Sequence, residues 1–212
     1  MVSNSPFTTI YQLVGISPGR LKITFMQNIY IMKKFLTAIV FILFCSLGFA
    51  QTTSGKISVV VQSGKFTINK AVVTNGWKKD VVSVAINAEA RRRAGFNTTH
   101  TYDNLGIVLF ERNEDKLPSG IISEVQFFTA SIDTNSVTPK GYFTGKMQIE
   151  ELKISSNLSW QDIKDKLKDY KQTDSYMEHN YRLAYKGLYI YFQFDDDETT
   201  LKKISIGKDT RS

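Results

Sequence analysis

Beyond residue 50 the chain alternates short apolar runs with polar turns, and two periods can be read in it. Trp160, Ile163, Leu167 and Tyr170 recur at helical spacing with Lys and Asp between them, and Ser159 three residues before Asp162 has the form of a capping box. This predicts a helix over 160–170 with one buried stripe. Trp77, Val81, Val84 and Ala88 stand at i, i+4, i+7 and i+11, which predicts a second helix, although the run Val81, Val82, Ser83, Val84 also suits a strand. A two-residue period dominates elsewhere. Residues 181–194 (YRLAYKGLYIYFQF) read as one long strand, closed by the acidic turn 195–198 and answered by 201–206. Residues 102–112 and 121–129 predict an equivalent hairpin across 113–120, whose Asn, Asp, Pro, Ser and Gly are turn chemistry.

The pattern also repeats. Residues 64–74 (GKFTINKAVVT) align without gaps with 145–155 (GKMQIEELKIS), 81 positions on. Residues 106–110 (GIVLF) match 187–191 (GLYIY) at the same offset of 81, residues 124–127 match 203–206 at 79, and the two tryptophans fall at 83. The chain therefore reads as two strand-helix-strand-strand units, 51–130 and 142–212, joined by a link at 131–141. The repeat decides for a helix in the first unit. The expected fold is α+β, with the tandem units forming an antiparallel sheet that carries helices on one face. Whether 51–63 pairs as a strand stays open at this level.

Alternation assigns faces, because side chains two apart on a strand point the same way. Leu188, Ile190, Phe192 and Phe194, with Ile107 and Leu109, form the row expected beneath the helices. The opposite row holds Val108, Phe110, Tyr189 and Tyr191, joined by Phe128. A sheet covered on one side only should be polar on the other. An aromatic row there is either covered by the chain itself or is a binding surface, so these five are the candidate partner-binding residues.

Composition changes the picture at the N-terminus. Residues 32–50 (MKKFLTAIVFILFCSLGFA) have a two-lysine start, an apolar core and small residues before Gln51, the form of a cleaved secretory signal. The apolar stretch from Phe35 is 16 residues long, short of the ~20 that span a bilayer. Cleavage is therefore expected, with no stable membrane insertion afterwards. Residues 1–31 read as an upstream extension of the gene, with translation starting at Met32. Phe44 is too bulky to precede a lipidated cysteine. Residues 1–50 hold four basic residues and no Asp or Glu, so the formal net charge of +7 falls to +3 for residues 51–212. That leaves no concentrated basic surface for nucleic acid. The single cysteine, Cys45, lies in the same segment, which removes disulfides and thiol chemistry from the body and fits export to a periplasm or cell surface.

Candidate chemistry is sparse, and no cofactor or metal is expected. His100 with Asp103 suggests acid-base work, but three apart on a strand they face opposite ways. His179 beside Glu178 has the same problem. The run 195–198 offers oxygen ligands without the spacing that wraps calcium and reads as a hairpin tip. Arg91, Arg92 and Arg93 are expected to close the first helix, where cations suit the dipole. Neither a G-x-S-x-G nucleophile motif nor a Gly-rich phosphate loop occurs in the mature chain.

Tyr102, Asp103, Asn104, Leu105, Gly106 and Ile107 (YDNLGI), after a helix and opening a strand, resemble a signature of an uncharacterised domain family of bacterial envelope and immunity-like proteins. Residues 143–154 (FTGKMQIEELKI) are similar to a second piece of that pattern. The family has no assigned catalytic residues, so the resemblance implies no active site. In architecture alone, tandem units with helices on one side of a sheet also resemble the β-lactamase inhibitory proteins, whose free sheet face grips the target enzyme. The expected function is an exported, non-catalytic domain that holds a protein partner on the helix-free face, as an inhibitor or immunity-like factor. The alternatives are an envelope component that self-associates as a homodimer through the same face, and a carboxylate-based hydrolase. The hydrolase needs two of Asp103, Glu111, Glu124 and Glu178 to converge in one cleft.

Overall fold

The computed structural model describes residues 56–210 other than 176. The signal-like segment 32–50, Cys45 and the extension 1–31 lie outside the described residues. Among those described, no helix is long and apolar enough to cross a membrane.

The elements form two sheets and two helices, a mostly β version of an α+β fold. Five strands build the smaller sheet: β1 (Ser58–Gln62), β2 (Lys65–Ile68), β3 (Ala71–Val72), β8 (Lys146–Ile149) and β9 (Leu152–Ile154), in the order β3-β2-β1-β8-β9. Eight build the larger one: β4 (Arg91–Arg93), β5 (Asn97–Tyr102), β6 (Ile107–Glu114), β7 (Leu117–Phe128), β10 (Lys171–Thr173), β11 (Asn180–Tyr185), β12 (Leu188–Phe194) and β13 (Leu201–Lys208). Their order is β10-β11-β12-β13-β7-β6-β5-β4, with every neighbour antiparallel. After β1 the order hairpin, helix, short edge strand, three long strands therefore runs twice. The pairing registers match as well: His100 faces Leu109 and Tyr102 faces Ile107 in β5–β6, as Leu183 faces Ile190 and Tyr185 faces Leu188 in β11–β12.

The layering corrects the expected single sheet. The opening strand of each unit is a four-residue piece with two buried side chains, Phe66 and Ile68 or Met147 and Ile149. It folds back at once as a hairpin and pairs through β1 into a sheet of its own. Phe66 meets Phe127 of the larger sheet edge-on, ring centroids 6.4 Å apart, and Trp77 at 5.9 Å, so one core fills the space between the layers. Of the segment left open by the sequence, Ser58–Gln62 supplies the central strand of the smaller sheet: β1 pairs antiparallel with β2 and parallel with β8.

Helix α1 (Lys79–Ile86) contributes Val82 and Ile86 to the core, and helix α2 (Trp160–Lys166) contributes Ile163. The capping box of α2 forms as expected, the Asp162 N–H donating to Ser159 Oγ at 3.2 Å and the Ser159 N–H to Asp162 Oδ2 at 3.1 Å. The buried stripe of α1 differs from the expected one, since Val82 and Ile86 are buried while Val84 is 78% exposed. Trp77 takes a left-handed φ of 51°, which breaks the helical phase between it and the residues that follow.

Tight turns account for the other differences. The run 181–194 is two strands folded at Lys186 and Gly187, both with positive φ, the geometry of a two-residue hairpin turn whose twist matches the strands. The hairpin turn of the first unit is only Asp115 and Lys116, again both positive in φ, so most of 113–120 is strand. The three arginines form edge strand β4 rather than the end of α1, which stops at Asn87 in left-handed conformation. Such a charged edge discourages pairing with other chains.

Arg91 ties the turn after β5 to the link. Its Nε and Nη2 each donate to an oxygen of Asp103 at 3.0 Å, and its other contacts are the carbonyls of Ser136 and Thr138. The Arg91 guanidinium holds the Asp103 carboxyl below the ordinary 3.8. A carboxyl that ionises more readily folded than unfolded contributes stability that is complete above its unfolded value and is lost as pH falls through the folded one. Asp103→Asn is thus expected to lower the melting temperature at pH 7, and the difference from wild type should shrink steadily below about pH 4. A difference that stays constant from pH 7 to pH 2 would show that this ion pair does not hold the link.

Candidate functional site

The outer face of the larger sheet, away from the helices, can be laid out from register. One row runs Arg182, Tyr191, Ser205, Gln126, Val108, Thr101; the next runs Ala184, Tyr189, Gly207, Glu124, Phe110, Thr99; a third holds Gln193, Lys203 and Phe128. Four of the five expected residues lie in the first two rows and Phe128 in the third, so the parity reading places all five on one face.

Exposure divides them. Val108 is fully buried and Phe128 is 3% exposed, a correction to their assignment as partner-binding residues. The cause is residues 129–143, which turn back over the first half of the face. Thr101 Oγ1, in the row of Val108, donates to the carbonyl of Val137 at 3.2 Å, and the Phe143 N–H donates to the carbonyl of Phe128 at 2.6 Å. Phe110, Tyr189 and Tyr191 are half-buried.

Over the second half of the face the sheet is open. A groove of about 350 Å³ is lined by Glu124, Gln126, Arg182, Tyr189, Tyr191, Lys203, Ser205, Lys208 and Thr210. Gly207 makes it possible. Its missing side chain leaves room for the ring of Tyr189, which a Cβ there would strike, and the Tyr189 hydroxyl reaches across to donate to Glu124 Oε2 at 2.6 Å. Gln126 Nε2 donates to the other oxygen of Glu124 at 2.6 Å, so both oxygens of that carboxylate are engaged. Burial first, and the neighbouring Glu124 charge second, push the Tyr189 phenol well above its ordinary value. Arg182 lies over the Tyr189 ring, 4.7 Å from its centroid, and forms a buried ion pair with Asp209 at 3.0 Å. Burial also lowers the Lys203 ammonium, against the opposing pull of Glu124; its Nζ is 5.9 Å from the centroid of Phe128. The groove lining is polar and charged apart from the rings of Tyr189 and Tyr191.

The carboxylates needed by a hydrolase do not converge. Asp103 is held by Arg91. Glu111 directly follows the outward Phe110, so it faces the core side, and it binds His100 Nε2 at 2.6 Å and the Gly120 N–H at 2.7 Å. Glu124 is on the outer face, and Glu178 lines a separate depression. That depression also contains His179, whose Nδ1 is 3.1 Å from Glu198 Oε1, and Tyr181, whose hydroxyl donates to the same oxygen. Burial and then Glu198 push the Tyr181 phenol up to about 12. Each histidine therefore pairs with a glutamate distant in sequence, instead of the near neighbours Asp103 and Glu178.

Parity with Phe128 made Glu124 and Gln126 legible as outward-facing. Lys203, Ser205 and Arg182 gave no such signal, because their face depends on the register of β13 against β7. Fold and groove together describe a two-layer β-rich module with one open, lysine-bearing sheet face. Residues 58–164, half of the chain, match the family described as domain of unknown function DUF7738, and the chain belongs to that family. No curated protein and no solved structure matches it. The matched span contains Glu124 and Gln126, while Arg182, Tyr189, Tyr191 and Lys203 follow it.

Proposed function

We propose that this is an exported, non-catalytic binding module that holds a protein partner on the open half of its outer sheet face, as an inhibitor or immunity-like factor does. The observation that carries this reading is the asymmetry of that face. The chain's own link covers the half around Val108 and Phe128, whereas Tyr189 and Tyr191 stay half-exposed beside the groove. Tyrosines bring large contact area with few rotamers to freeze. Export is supported by the signal-like segment 32–50 and by the absence of cysteine from residues 51–212. The doubled element order and matching registers support an origin by duplication, after which the two outer faces diverged: Val108 and Phe110 occupy the positions that Tyr189 and Tyr191 hold in the second unit.

The test compares wild type with Tyr191→Ala, matched for melting temperature, as immobilised bait for envelope extracts and as free protein on a sizing column. Wild type should retain a protein that the variant loses, and should itself elute as a monomer. A dimer that Tyr191→Ala dissociates would replace this reading with self-association. Identical, empty lanes for both would end it.

A further inference from the structure

We propose that Lys203 is the anchor of this groove and that the partner fills it with the carboxylate of an aspartate or glutamate side chain. The inference rests on the proposed role of the face in holding a protein.

Three observations converge on it. Lys203 lines the groove and is only partly exposed, and no carboxylate among the described residues lies within the 4.0 Å of an ion pair from its Nζ. An ammonium withdrawn from water with no carboxylate in contact is costly, and an incoming carboxylate gains a charge-assisted hydrogen bond in a medium less polar than water. Glu124, the acid lining the same groove, is already occupied, with one oxygen taken by Tyr189 and the other by Gln126. Its partners fix it in place rather than leaving it to swing toward Lys203. The remaining lining is cationic or neutral: Lys208 and Arg182, with Ser205 and Thr210 as hydroxyl donors. Arg182 is engaged by Asp209.

Size and charge select the occupant. A groove of about 350 Å³ is at the lower end of ligand sites and suits one or two protein side chains. A single charge balances Lys203, whereas a doubly charged phosphate would be placed beside the fixed carboxylate of Glu124 and meet like-charge repulsion. Tyr191, facing Ser205 on the neighbouring strand, offers an apolar wall for the methylenes of the incoming side chain.

The probe is a displayed random-peptide library selected on the whole protein, with selected sequences then made as synthetic peptides. Those that bind wild type and lose affinity on Tyr191→Ala report on this face. The expected result is that each carries an Asp or Glu whose change to Asn or Gln weakens binding about tenfold or more. The same change should have no further effect on Lys203→Met, so that the double-mutant cycle assigns the loss to the pair. Lys203→Met removes a desolvated charge without shortening the side chain, and its melting temperature should match or exceed that of wild type. Peptides that depend on Tyr191 but are indifferent to amidation would overturn the carboxylate anchor and leave the face as the binding surface. Displacement of the peptides by inorganic phosphate at concentrations where acetate has no effect would give Lys203 to phosphate and overturn it as well. If no selected peptide depends on Tyr191, the anchor and the proposed role of the face fall together.

Discussion

Glu111→Phe alone is expected to cost about 3–4 kcal/mol of stability, and the double change His100→Leu/Glu111→Phe to recover most of it. His100 and Glu111 face the core side with side chains 12% and 4% exposed, and their contact is 2.6 Å. Removing one partner leaves the other polar group in a space that water does not reach. The second unit shows what the fold accepts instead, because matching register puts Leu183 and Phe192 at the equivalent positions, both buried. Well-packed apolar groups of similar volume generally replace a buried ion pair at little or no cost. Recovery should stop somewhat short of complete, since Glu111 also accepts the Gly120 N–H, and a half-buried donor left without its acceptor costs about 1 kcal/mol. Denaturant unfolding of wild type, the two single variants and the double variant measures this directly. A double variant less stable than either single one would mean that the pair is held by more of the core than these contacts.

Gly106→Ala should lower stability by about 3 kcal/mol and the melting temperature by about 6–12 °C. Gly106 has a φ of 64°, and a Cβ there would run into the backbone of Tyr142 and Phe143. Its carbonyl accepts the Phe128 N–H at 2.8 Å, and the Phe128 carbonyl accepts the Phe143 N–H, so three segments meet where only hydrogen fits. A left-handed alanine costs about 1 kcal/mol, and the remainder is forced separation of backbone that cannot rotate aside. Gly187→Ala separates the two contributions. Gly187 has a φ of 78° with nothing near the added Cβ, and its substitution should cost only the conformational part. Equal losses at the two positions would show that the crossing of the link over Gly106 contributes nothing.

The same residues show what can be read without a structure. The YDNLGI segment stood out as a signature, and its physical content is a docking point: Asp103 receives the Lys140 N–H at its side chain and the Gly141 N–H at its carbonyl, and Gly106 lets 142–143 pass. Local chemistry of the Ser159–Asp162 kind was legible, because both partners lie within one turn of helix. Strand parity was legible too, and it placed Leu188, Ile190, Phe192 and Phe194 in the core. The turn at Lys186 and Gly187 was not, since a lysine in left-handed conformation carries no composition signal inside an aromatic run. The burial of Val108 and Phe128 was invisible for a different reason. It depends on where a polar link of ordinary composition comes to rest, and its side-chain contacts with Arg91 and Thr101 join residues 36 to 47 positions apart. Lys203 and Glu124 likewise share a groove only through the register of β7 against β13.

Strand β1 has a consequence for how this molecule assembles. The layout is doubled, yet β1 belongs to neither copy and is hydrogen-bonded to both, antiparallel to β2 and parallel to β8. Strand β1, the first among the described residues, therefore waits about 90 residues of chain for one of its two neighbours, a loop-closure cost that local hairpins do not carry. A second copy produced by itself would present β8 as a naked edge beside an empty apolar slot, ready to accept a strand from any chain that offered one. The two halves of the layout are thus not independent foldons but are locked by a shared bolt, and the protein should melt in one cooperative step.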